Sequence, residues 1–112
     1  VELSEYNESV ILAAWLRLKG LKFAHIPNST YTSSNAAKAK NKAMGVSPGV
    51  PDYLILLPER VVFVELKRRH GGVVSPEQLE WGAALVRSGA FFRVCYGADE
   101  AVAFIESLCP HH

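Results

Sequence analysis

An unbroken β-rich run, Val61 to Lys67 (VVFVELK), ends in two charged side chains, Glu65 and Lys67. Branched and aromatic residues at this density form a strand in the middle of a sheet, where side chains are normally apolar. Glu65 and Lys67 stand two residues apart, so the period of a strand puts them on one face. A carboxylate and an ammonium in such a place need a partner or a purpose. The plainer alternative is an ion pair at a sheet edge.

The residues just upstream supply a purpose. Gly45 to Asp52 (GVSPGVPD) is dense in turn formers and leads straight into Tyr53 to Leu57 (YLILL), a second strand. Pro58, Glu59 and Arg60 make a short connection, so the two strands should form an antiparallel hairpin in the middle of the sheet. Asp52 alone reads as a turn aspartate after proline, but at the mouth of this hairpin it reaches the face that carries Glu65 and Lys67. Two carboxylates converging there repel each other unless a proton or a cation lies between them. Hard oxygen donors without cysteine or histidine point to Mg²⁺ or Mn²⁺ rather than zinc. Lys67 beside such an ion would position or deprotonate a water, or hold a phosphate, as hydrolysis of a phosphodiester requires.

The other elements follow from periodicity. Ser4 caps a helix with Glu5 and Glu8 in its opening turns, and Val10, Ile11, Leu12, Trp15, Leu16 and Leu18 give it an apolar face up to Gly20. Leu21 to Ile26 reads as a short strand ended by Pro27 and Asn28. Residues 29–44 are polar and read as a loop with room for a short helix around Ala36–Ala43. After Gly71 and Gly72, Ser75 with Pro76 and Gln78 forms a capping-box start, and Leu79, Ala83, Leu85 and Val86 are the expected buried stripe up to Gly89. Phe91 to Tyr96 is a strand, and Ala98 to Leu108 a final helix entered through Asp99. The order helix, strand, strand, strand, helix, strand, helix is that of an α/β fold, a mixed central β-sheet between layers of helices.

A chain of 112 residues that is 49% apolar has the size and core of one domain, taken as residues 1–112. A net charge of +1 does not announce a nucleic-acid partner, so the placement of charge matters more. Lys38, Lys40 and Lys42 fall in one short segment, and Lys67, Arg68 and Arg69 in another. Both read as phosphate-facing patches, although a solvated face is the commoner role of such lysines. Cys95 and Cys109 are too few for a disulfide scaffold and have no zinc spacing, which suits a reducing compartment such as the cytosol. No apolar run is long enough to span a bilayer, and no export signal is expected. Trp15 and Trp81 sit at helix-core spacing, and His25 and His70 have no metal spacing, so all four read as structural. His111 and His112 after Pro110 read as the stub of a purification tag.

Taken in order, Glu5 or Glu8, then Gly49-Val50-Pro51-Asp52, then Val64-Glu65-Leu66-Lys67, then Ser75-Pro76-Glu77-Gln78 with Trp81 three residues on, the chain resembles the VRR-NUC family. That family is a branch of the nucleases with the PD-(D/E)xK, or restriction-endonuclease-like, fold. The resemblance covers nearly the whole chain, and it implies a three-layer α/β/α core. It implies that Asp52 and Glu65 hold the metal with the carbonyl of Leu66, that Lys67 serves the nucleophilic water, and that Gln78 supports the site as well as its helix. The acid of the first helix is Glu5 or Glu8, the apolar register favouring Glu5. Asn28 corresponds to a Pro-Asn pair that the family often keeps near the active site. The Val-Arg-Arg signature is absent as such, and Lys67, Arg68 and Arg69 put basic residues in its place. Members of this size resemble bacterial or phage stand-alone nucleases, some of them homodimers that cut four-way DNA junctions. The expectation is therefore a Mg²⁺- or Mn²⁺-dependent DNA endonuclease acting on branched DNA. An RNA or single-strand nuclease with the same site is one alternative, and an inactive nucleic-acid-binding domain another.

Overall fold

The computed structural model describes residues 2–27 and 33–110; Asn28, His111 and His112 lie outside them. Ser4 caps α1 (Glu5–Leu18), its hydroxyl accepting from the Asn7 N–H at 3.1 Å. Then follow β1 (Lys22–His25), α2 (Asn35–Met44), β2 (Tyr53–Leu57), β3 (Arg60–Lys67), α3 (Pro76–Arg87), β4 (Phe91–Tyr96) and α4 (Ala98–Leu108). The sheet order is β1-β2-β3-β4. The first three strands are antiparallel neighbours, and β4 runs parallel to β3 after the α3 crossover.

Strand parity sorts the layers. Val62, Val64 and Leu66 of β3 enter the core with Ile55 and Leu57 of β2 and Cys95 of β4. Leu12 and Leu16 of α1, and Ala101 and Ile105 of α4, cover that face. The Tyr53 hydroxyl donates to Ser9 Oγ at 3.0 Å and pins α1 over β2. The opposite parity of β3 carries Phe63, Glu65 and Lys67, and α3 lies on that side, with Gly82 against Phe92. A Cβ at Gly82 would come within 2.3 Å of that ring, so glycine lets helix and sheet approach closely. The result is the expected three-layer α/β/α arrangement, with the hairpin of β2 and β3 at its centre.

The segment read as a loop with room for a short helix around Ala36–Ala43 holds that helix, one residue longer at each end: α2 is capped by Ser34 and closed by Gly45 at φ 85°. It buries none of its residues. Two sequence expectations need correction. The buried side of α3 is not the Leu79, Ala83, Val86 line: Leu79 is 59% and Val86 56% exposed, while Gln78, Gly82 and Leu85 face the sheet. Second, only part of the apolar set on α1 is core, since Leu12 and Leu16 are buried but Val10, Ile11 and Leu18 are exposed. Among the described residues no helix is long and apolar enough to cross a membrane.

Candidate active site

The loop before β2 is held at both ends. Gly49 has φ 95°, and a Cβ there would meet the backbone of Glu77 and Gln78 within 3 Å, so the loop lies directly on the first turn of α3. At its far end the Ile26 N–H donates to the Asp52 carbonyl at 2.6 Å, continuing the β1–β2 ladder. Asp52 is thereby fixed at the mouth of the hairpin. Its Oδ2 accepts from the Leu66 N–H at 2.9 Å, which turns the carboxylate toward β3.

Glu65 and Lys67 are 2% and 8% exposed, on the face opposite the core cluster. The Lys67 Nζ lies 3.3 Å from Glu65 Oε2. Gln78 Nε2 donates to the same oxygen at 3.0 Å. The other end of that amide completes the capping box, Oε1 accepting from the Ser75 N–H at 2.9 Å while the Gln78 N–H donates to Ser75 Oγ at 3.1 Å. One side chain therefore fixes the start of α3 and orients the buried carboxylate. The remaining oxygen, Glu65 Oε1, is buried and has no hydrogen-bond partner among the described residues.

The electrostatics follow from this crowding. Burial, then the charge of Asp52, pushes Glu65 up to about 7 despite Lys67 beside it. Burial likewise raises Asp52, opposed by the Leu66 N–H and by His25. An uncompensated buried oxygen in a carboxylate pair that resists ionisation is a place where a cation fits, and oxygen donors are what hard divalent ions take. The set is small: among the described residues no group of three or more histidine, cysteine, aspartate or glutamate side chains is placed to hold a metal ion. Among the described residues, Asp52 and Glu65 are the carboxylates that could hold such an ion, next to the backbone of Leu66.

The other site candidates are scattered. Glu8 is fully buried, its Oε1 accepting from the Ala98 N–H at the start of α4 (3.0 Å) and its Oε2 3.3 Å from the Arg69 Nε. It lies on the α1–α4 side of the sheet, away from Glu65. Glu5 is exposed and lines a cavity of about 670 Å³ between α1 and β1, with Ser9, Arg17, His25 and Tyr53. Arg69 is engaged by Glu8 and by Asp99, whose Oδ2 is 2.7 Å from Nη2. Arg68 is exposed, and among the described residues it bonds only Gly71 O, at 3.4 Å. Lys38, Lys40 and Lys42 stand exposed on α2.

Sequence reasoning missed the position of His25. Its ring stacks on Tyr53 at 4.9 Å between centroids, and it is among the groups that oppose the rise of Asp52. No linear signal pointed to this, because the pairing of His25 with Tyr53 is a matter of cross-strand register.

Comparison with known proteins agrees with this geometry. A solved structure described as a VRR_NUC domain protein superposes with a TM-score of 0.78 over 96% of this chain and 88% of that one, at 24% sequence identity, a likeness of fold. Comparison with curated proteins gives no match. The VRR-NUC domain model matches residues 3–99, a span that runs from the cap of α1 past β4 and includes Asp52, Glu65, Lys67 and Gln78. The chain belongs to the VRR-NUC family, a nuclease-type domain whose substrate is nucleic acid.

Proposed function

We propose that the chain is a metal-dependent DNA endonuclease that hydrolyses phosphodiester bonds with Mg²⁺ or Mn²⁺, acts on branched DNA such as a four-way junction, and works as a homodimer. The observation that carries this reading is Glu65 Oε1, buried and without a hydrogen-bond partner among the described residues, on a carboxylate that feels the charge of Asp52 and has Lys67 and Gln78 on its other oxygen. An unsatisfied buried acceptor costs on the order of 1–3 kcal/mol; Glu8 Oε2, the other such oxygen among the described residues, has the Arg69 Nε 3.3 Å away.

Asp52, Glu65 and the Leu66 carbonyl would hold the ion, and Gln78 and the Leu66 N–H fix the two carboxylates before it arrives. When bound, the metal supplies Lewis-acid stabilisation of the phosphoryl oxygens and a more acidic water. The Lys67 ammonium, 3.3 Å from Glu65 Oε2, would orient the attacking water or neutralise charge gathering on the phosphate as the P–O bond breaks. Of the two acids on α1, Glu5 is assigned the supporting role, because it lines the cavity that His25 shares, whereas Glu8 anchors α4. Lys38, Lys40, Lys42 and Arg68 are the exposed cations left for the DNA backbone, while Arg69 is occupied within the fold. A twofold pair of such sites suits the symmetric cleavage of a junction.

The test is cleavage of labelled four-way junction, flap, nicked, duplex and single-stranded DNA and of matching RNA, with Mg²⁺, Mn²⁺ or EDTA. Metal-dependent endonucleolytic cutting, strongest on branched DNA, is expected. Tight binding without product on any substrate would overturn the enzymatic reading, and preference for RNA or single strands would overturn the substrate.

A further inference from the structure

Helix α3 carries an apolar line that the fold does not use. Leu79, Ala83 and Val86 recur at helical spacing along one flank and are exposed. On the other flank the Trp81 Nε1 donates to Ser47 Oγ at 3.3 Å, in the loop that leads into β2, so that flank looks toward β2. Because β2 and β4 lie on opposite sides of β3, the Leu79–Val86 flank looks toward β4. β4 is an edge strand, paired with β3 on one side and with no described strand on the other. It holds no proline and one charged residue, Arg93, whose guanidinium rests over the Phe104 ring. An edge with so little to blunt it is a template for association.

Charge selects the occupant. Glu80 and Arg87 are exposed, lie beside the apolar line, and make no ion pair among the described residues. If two α3 helices run antiparallel about a twofold axis near Ala83, Leu79 meets the partner's Val86 and Glu80 meets the partner's Arg87. The small Ala83 at the crossing permits close approach. The sheet tolerates the same axis: paired strands about 4.8 Å apart put each β4 about 2.4 Å from it, and helices packed 8–10 Å apart put each α3 about 4–5 Å away. That offset suits α3, which covers Phe92 of β4 and reaches Glu65 of β3. A stable dimer buries roughly 1,200–2,000 Å². Two three-turn helices fall short of that, and the adjoining β4 edges supply the rest.

We propose that this face is the twofold interface of a homodimer, with α3 antiparallel to its partner and the β4 edges adjoining across the axis. The inference rests on the dimeric reading above and not on the chemistry at Glu65. Its test is sedimentation equilibrium of the full chain without DNA or metal, with circular dichroism to verify folding. The wild type is expected to be a dimer and Leu79→Asp a monomer. Glu80→Arg and Arg87→Glu should each weaken association at least about tenfold by opposing like charges, and the double reversal should restore it. Leu18→Asp, on the exposed side of α1, and Lys67→Ala should both remain dimeric, the second while losing cleavage. A wild type that is monomeric at all concentrations, a dimeric Leu79→Asp, or a double reversal without rescue would each overturn the proposal. A dimeric wild type that cuts no substrate would instead count against the nuclease reading.

Discussion

Glu65 is a single residue in which fold and chemistry conflict. Its raised pKa means that, between the ordinary value of 4.5 and about 7, the folded chain holds a proton the unfolded chain has released. The corresponding stability is full below about pH 4.5 and is lost as the pH rises through about 7; it is on the order of 3 kcal/mol for a shift of this size. Asp52 moves in the same direction, so the pair acts together. Thermal unfolding of the metal-free protein should therefore show a midpoint that falls from about pH 5 to about pH 8, more steeply than in Glu65→Gln. Mg²⁺ should raise the midpoint more at the higher pH, where both carboxylates are free to bind it. Equal slopes in the two proteins would mean that Glu65 is not under this strain. The sequence displayed the conflict as an acid in an apolar strand, but not its partners. Glu8 shows the limit from the other side: it looked like a second site acid, yet its oxygens are taken by the Ala98 N–H and Arg69, contacts ninety and sixty-one residues away in the chain.

Two helices show what elements contribute. The first turn of α3 does two things through Gln78, and substitution separates them. Ser75→Ala removes the cap alone and should cost about 0.5–2 kcal/mol in denaturant unfolding with the cleavage rate nearly unchanged. Gln78→Ala should cost similar stability and also slow cleavage, because Glu65 loses its anchor. If both variants cut at the same reduced rate, the amide matters only as a cap. The capping box was readable because it is local, three residues end to end. The sheet-facing line of α3 was not, because it carries Gln78 and Gly82, and the more apolar line beside it points away from the sheet. Helix α2 is the reverse case: with no buried residue it gave no periodic signal, and its caps, Ser34 and Gly45, hold it in place of packing. Its three lysines are exposed. Replacing Lys38, Lys40 and Lys42 with alanine should lower the slope of log affinity against log salt by about 2 to 3 in a DNA-binding titration, with the folded state retained. An unchanged slope would remove α2 from the interface.

At the scale of the whole molecule the architecture was legible and its surfaces were not. Alternating strands, two well-marked helices and a tight connection between β2 and β3 specify a mixed sheet between helical layers, since each relies on short-range pattern. Which side of each helix stays exposed depends on contacts between elements far apart in sequence. His25 beside Asp52, Arg69 held by Glu8 and Asp99, and the bare flank of α3 are all of that kind. What the whole fold accomplishes is to bring the mouth of a hairpin, the end of its second strand and the first turn of a helix to one point. The most direct measurement of whether that point is catalytic is the single-turnover rate on the best-cut DNA in Mg²⁺ for wild type, Asp52→Asn, Glu65→Gln and Lys67→Ala, each verified as folded. A loss of about 10²–10⁴-fold or more in every variant, with DNA affinity largely kept, is expected. Variants that cut as fast as the wild type would contradict it, and the Asp52, Glu65 and Lys67 cluster would be a structural ion pair.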